Sequence, residues 1–139
     1  MAAISITAAN VLASASAVIS KEYTFGATIT AGQLVYLNSS SQWVLLDSDA
    51  AATGNGITDK RGITLCGGSL NQPASVCLSD TDFTPGGTLS NGLAIYNSTT
   101  AGGITFADIP TTAAYPVFVG IAKSTTKMNL FPVASGVVI

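Results

Sequence analysis

Residues 31–46 read Ala31-Gly32-Gln33-Leu34-Val35-Tyr36-Leu37-Asn38-Ser39-Ser40-Ser41-Gln42-Trp43-Val44-Leu45-Leu46. An Ala-Gly turn opens into Gln33 to Leu37, rich in the branched and aromatic side chains that suit a pleated strand. Four polar residues, Asn38 to Ser41, form a loop, and Trp43 to Leu46 return. This is the pattern of a β-hairpin.

Sixty residues later the pattern recurs. Gly32-Gln33-Leu34-Val35-Tyr36 matches Gly92-Leu93-Ala94-Ile95-Tyr96, the polar turn Asn38 to Ser41 matches Asn97 to Thr100, and Trp43-Val44-Leu45 matches Ile104-Thr105-Phe106. A later Gly62-Ile63-Thr64-Leu65 corresponds to Gly120-Ile121-Ala122-Lys123, 26 positions after Tyr36 in one half and 24 after Tyr96 in the other. A lone hairpin cannot bury both of its faces, so two such units are expected to face each other in one sheet system.

Between and around these units the chain is strand punctuated by turn residues. Tyr23 to Thr30 alternates, Gly62 to Cys66 and Ala74 to Ser79 are short strands around a Gly67 to Pro73 turn, and Pro85-Gly86-Gly87 closes the first half. Residues 47–61 hold five of the twelve charges and read as a loop. The fold expected is therefore all-β, a small β-sandwich or barrel-like domain of two similar hairpin units over residues 23–139, with an extended N-terminal arm over residues 1–22.

The arm, MAAISITAANVLASASAVIS over residues 1–20, has no charged side chain. An Ala13-Ser14-Ala15 triplet resembles a signal-peptidase site, but no Lys or Arg precedes the apolar stretch, and Ser, Thr and Asn interrupt it too often for a membrane span. An intact arm docked on its own domain or on a neighbouring chain is the better reading, with an N-terminal strand of the domain's own sheet as one version of it. Its apolar residues Ile4, Ile6, Val11, Leu12, Val18 and Ile19, together with Val137, Val138 and Ile139 at the other end, are the candidate contact residues. Self-packing within the monomer is the competing role for both groups.

Composition narrows the function further. Only 9% of the 139 residues are charged, against about a quarter in an ordinary soluble protein, so the surface is largely Ser, Thr, Asn, Gly and apolar side chains, suited to contact. With both strands of the first hairpin apolar at consecutive positions, one of their faces is expected to pack on a partner rather than inside the domain. Five scattered basic residues and a net charge of −2 give no stripe that could track phosphates, so nucleic acid is a poor partner.

The chain has no histidine, which removes Ser-His-Asp, Cys-His and HExxH chemistry at once. Asp47-Ser48-Asp49 and Asp80-Thr81-Asp82 lack the residues that complete a calcium loop or an acid–base pair, and turn or strand-end roles are expected of them. Cys66 and Cys77 lie at positions that could face each other across a hairpin and are expected to stay reduced. Gly86-Gly87 and Gly102-Gly103 are turns, since neither has the spacing or the following helix of a phosphate loop. No catalytic residue, cofactor or metal is expected.

The runs AGQLVYLNSSSQWVLLDSDAAATGNGITDKRGITL (31–65), GLAIYNSTTAGGITFADIP (92–110) and VFVGIAKSTTKMNLFP (117–132) resemble small head proteins of tailed bacteriophages of the decoration, or cement, type. That resemblance covers residues 27 to 135. It implies a β-rich structural virion protein, commonly a homotrimer, assembled in the host cytoplasm. Such a protein sits on the outer capsid surface where major capsid proteins meet, and stabilises the shell by bridging them. Its partners would be the major capsid protein and copies of itself, with neither membrane nor nucleic acid involved. Residues 1–20 lie outside the shared pattern. The principal alternative is a receptor- or glycan-binding fibre or surface module of a virion, which would place aromatic residues on loops. A hydrolase using the Asp pairs and a secreted subunit donating its arm as a strand are more distant readings.

Overall fold

The computed structural model describes residues 4–47, 60–98, 100–106 and 117–134. Among them there is no α-helix, only a single 3-10 turn at Ala8–Asn10. Ten strands follow in chain order: β1 (Val18–Ser20), β2 (Thr24–Phe25), β3 (Leu34–Leu37), β4 (Gln42–Leu45), β5 (Arg61–Thr64), β6 (Val76–Phe83), β7 (Ala94–Asn97), β8 (Ile104–Phe106), β9 (Val117–Ala122) and β10 (Met128–Ala134). They are ordered β2-β4-β3-β5-β6-β10-β9-β7-β8, with β1 attached to β6 outside this path. The sheet is mixed, because β2 runs parallel to β4, and it does not close, so the domain is sandwich-like rather than a barrel.

The repeat read in the sequence is a repeat in space. The order β4-β3-β5-β6 is mirrored by β8-β7-β9-β10, and antiparallel pairing of β6 with β10 joins the halves. Registers agree residue for residue: Val35 opposes Leu45 on one side and Gly62 on the other, while Ile95 opposes Phe106 and Gly120. Ile63 then opposes Cys77 as Ile121 opposes Asn129. Gly62 and Gly120 are required at these points, since a Cβ on either would fall on the carbonyl oxygen of the next strand, that of Cys77 or Asn129.

Alternation along the strands decides what each half covers. In the first unit Leu34, Ile63 and Cys77 face one way, into the main core, and Val35, Val76 and Trp43 face the other, into a second cluster closed by Phe25 and Ile29. Both faces of this unit are therefore covered inside the chain, which corrects the expectation that one of them packs on a partner. The second cluster accounts for it: the segment from Tyr23 to Ile29 lies over the outer face instead of continuing as a long strand, and Trp43 is wholly buried there, with Tyr23 edge-on to it at 6.2 Å. Burying each such side chain is worth about 1.5–3 kcal/mol.

The second unit turns Ile95, Val117, Val119, Met128 and Leu130 toward the main core. The two repeats thus pack head to tail: one kind of face on the first unit meets the opposite kind on the second.

Strand β6 runs on through Asp80-Thr81-Asp82, where a turn or strand end was expected. Partners distant in sequence make this tolerable, as described below. Cys66 lies past the end of β5 and packs with the second cluster, whereas Cys77 is buried in the main core; the two do not face each other, and both thiols are free. Most of the 47–61 loop, including Ser48 and Asp49, lies outside the described residues.

Candidate interaction surface

The arm is built into the domain by main-chain bonds along its length. The Ile4 amide donates to the Ile104 carbonyl at 2.7 Å and the Thr7 amide to Gly86 at 2.8 Å, and Leu12 and Thr84 exchange both of their bonds at 2.9 Å. Beyond this, Val18, Ile19 and Ser20 pair with Ser79, Cys77 and Val76 of β6. Cys77 also pairs with Ile63, so β1 and β5 occupy opposite edges of β6. Gly32 and Gly87 leave the room the arm occupies, since side chains there would run into Ile6 and into Ile4 with the Ser5 carbonyl.

One polar anchor completes the docking. Asp80 is 2% exposed, and its carboxylate accepts from the Ser14 amide at 2.7 Å, the Ser14 hydroxyl, the Ser16 hydroxyl at 3.1 Å and the Asp82 amide at 3.0 Å. Burial works against the charged form, but the donors from Ser14, Asp82 and Ser16 outweigh it and hold Asp80 below the ordinary carboxylate range. Asp82 is lowered by hydrogen bonds from Lys127 at 3.1 Å and Lys123 at 3.2 Å.

The candidate contact residues separate into three groups. Ile4, Ile6 and Val11 are half-buried against the main core, so they hold the arm to its own domain. Leu12, Val18 and Ile19 point outward, at 65, 55 and 40% exposure. Val137, Val138 and Ile139 lie outside the described residues.

A second apolar surface was not singled out in the sequence. Tyr96, Phe118 and Phe131 form an edge-to-face ladder on the outer face of β7, β9 and β10, with ring centroids 5.7 and 5.2 Å apart. Exposed Ile121 and Val133 flank them. The signal was present in VFVGIA, a strand apolar at almost every position, but which of its faces remained open depends on how the repeats pack.

Little on the described surface is suited to catalysis. An open recess of about 560 Å³ beside the arm is lined by Ser5, Thr7, Asn10, Thr84, Gly86, Gly87, Thr88 and Thr126, none of them an acid or base at neutral pH. Among the described residues no three His, Cys, Asp or Glu side chains gather as a metal site, and no helix is long and apolar enough to cross a membrane. No protein-family model matches the sequence, and no curated protein matches it.

Proposed function

We propose that this protein is an adhesive structural component, a capsid decoration protein that binds the outer surface of an assembled shell and holds neighbouring major capsid subunits together. The observation that carries this reading is the division of labour along the arm. Ile4, Ile6 and Val11 fasten it to the domain, while Leu12, Val18 and Ile19 stand exposed on a strand that, among the described residues, pairs only with β6. A strand with one free edge and an apolar outer row can add to a partner's sheet or cover an apolar patch on it.

Such binding needs no chemistry. A molecule that binds only the assembled lattice stabilises it by an amount set by its concentration over its dissociation constant, and contacts to more than one subunit multiply through avidity. The glycan-binding alternative calls for aromatic side chains on loops, whereas Tyr36, Trp43, Tyr96, Phe118 and Phe131 all lie in strands.

The test is cosedimentation of the purified protein with assembled heads and with free capsid subunits, for the wild type and the L12S/V18S/I19S variant. Wild-type binding to heads alone, lost in a variant that still folds, is the expected result. A wild type that ignores heads, or a variant that binds them at full occupancy, overturns the reading.

A further inference from the structure

The head-to-tail packing of the repeats leaves one face of one repeat uncovered. Leu34, Ile63 and Cys77 of the first unit are fully buried beneath the second unit. Their equivalents, found by matching the registers about Gly62 and Gly120, are Ala94, Ile121 and Asn129. Ile121 is 41% exposed, and Ala94 and Asn129 are only partly covered. Tyr36 packs against the main core, whereas its counterpart Tyr96 lies in the open ladder with Phe118 and Phe131. A face that is core in one repeat is surface in the other.

We infer that this outer face of β7, β9 and β10 is where two copies of the chain pair, face to face about a two-fold axis. Within the fold, the surface that covers such a face is the opposite face of a sister repeat. In every copy that opposite face is already occupied: on the second unit by the first, and on the first unit by Phe25, Ile29 and the chain around them. A head-to-tail contact between copies through these faces, which a three-fold ring of them would require, is therefore blocked, and the self-complementary contact remains. Charge permits it. None of Ala94, Tyr96, Phe118, Ile121, Asn129, Phe131 and Val133 is charged, so apposing two such faces buries no unpaired ion.

Three strands about 4.8 Å apart and roughly six residues long give a footprint of only about 300 Å², against about 800 Å² on each side of a standard interface. Pairing is accordingly a concentration-dependent equilibrium. This goes beyond the decoration reading, and would give a small domain two outward arms with which to bridge subunits.

Sedimentation velocity from about 1 μM to about 1 mM tests it on the full chain. The wild type is expected to shift from monomer toward dimer, while I121K and V133K, both at exposed positions, remain monomeric with unchanged melting temperature. A wild type that stays monomeric throughout, forms trimers, or dimerises equally well in both variants overturns the inference. Because no heads are present, the outcome is independent of whether the protein decorates a shell: a monomer that binds heads defeats only the pairing, and a dimer that ignores heads defeats only the decoration.

Discussion

The backbone amide and the hydroxyl of Ser14 both donate to the carboxylate of Asp80, 66 residues away, and so tie the arm to the middle of β6. A buried carboxylate in mid-strand is stable only with such partners. Hydrogen bonds to a charged group are worth about 1.5–3 kcal/mol each and roughly twice their neutral equivalents. Asp80→Ala is expected to destabilise the fold by about 3 kcal/mol and Asp80→Asn by about half as much. Urea unfolding measures the change. A double-mutant cycle with Ser14→Ala should show coupling, since the loss is of one shared contact; simple additivity would mean that the contact is not what holds the arm.

The same carboxylate sets a pH dependence. Asp80 and Asp82 are both held below the usual carboxylate range in the folded chain, so the unfolded chain takes up protons first as pH falls. Their contribution is complete above the unfolded value near 4 and is lost as pH drops through the lower folded values. The melting temperature should be flat from about pH 8 to about pH 5 and fall below about pH 4. Asp80→Asn should flatten the acid limb. The Asp82 share, which sits in exposed pairs with Lys123 and Lys127, should shrink in high salt while the Asp80 share persists. An acid limb identical in wild type and variant would remove Asp80 from this role.

Glycines at matched positions of the repeats make different demands. A Cβ at Gly62 or Gly120 meets the backbone of the adjacent strand, which cannot move aside. Gly92 has φ +83 with nothing within 4 Å, so alanine there meets only the left-handed backbone penalty. Gly92→Ala should cost about 1–2 kcal/mol, and Gly62→Ala and Gly120→Ala each more than about 3 kcal/mol. Chemical denaturation ranks them. Similar losses at all three sites would contradict the equivalence of the two glycine pairings.

The hairpins, the repeat and the register-setting glycines were legible because each rests on local chemistry: turn residues between branched runs, and Gly where strands crowd. The mid-strand place of Asp80 was not, since its partners Ser14 and Ser16 are more than sixty positions away. Nor could the sequence show that Tyr36 packs against the core while Tyr96 joins the open ladder, for the two occur in near-identical pentapeptides. Only the head-to-tail packing distinguishes them. For the arm, the apolar positions were identified together, and their division into inward and outward sets followed from its pairing with β6.

The two cysteines should react differently. Burial, together with the Asp80 charge, pushes the Cys77 thiol up to about 12, so at neutral pH almost none of it is the reactive thiolate. Cys66 is only half-buried. Iodoacetamide labelling of the native protein followed by mass spectrometry is expected to modify Cys66 alone, with Cys77 labelled only on unfolding. Rapid native labelling of Cys77 would show that β6 opens where it pairs with β1 and β5.

The arm offers the sharpest separation of folding from binding. Truncating it whole would bare the core that Ile4, Ile6 and Val11 help to cover, so lost binding would have no single meaning. Point substitutions divide the two effects. Ile6→Ala and Val11→Ala remove partly buried methyl groups and should lower stability by about 1–2 kcal/mol each, while head binding by the fraction still folded is unchanged. Leu12→Ser and Val18→Ser, at 65 and 55% exposure, should stay within about 0.5 kcal/mol of wild-type stability and yet weaken binding. Paired melts and cosedimentation on the four variants give both quantities. If the outward pair leaves binding intact while the inward pair abolishes it at equal folded fraction, the arm's exposed row is not the contact, and adhesion must reside elsewhere on the domain.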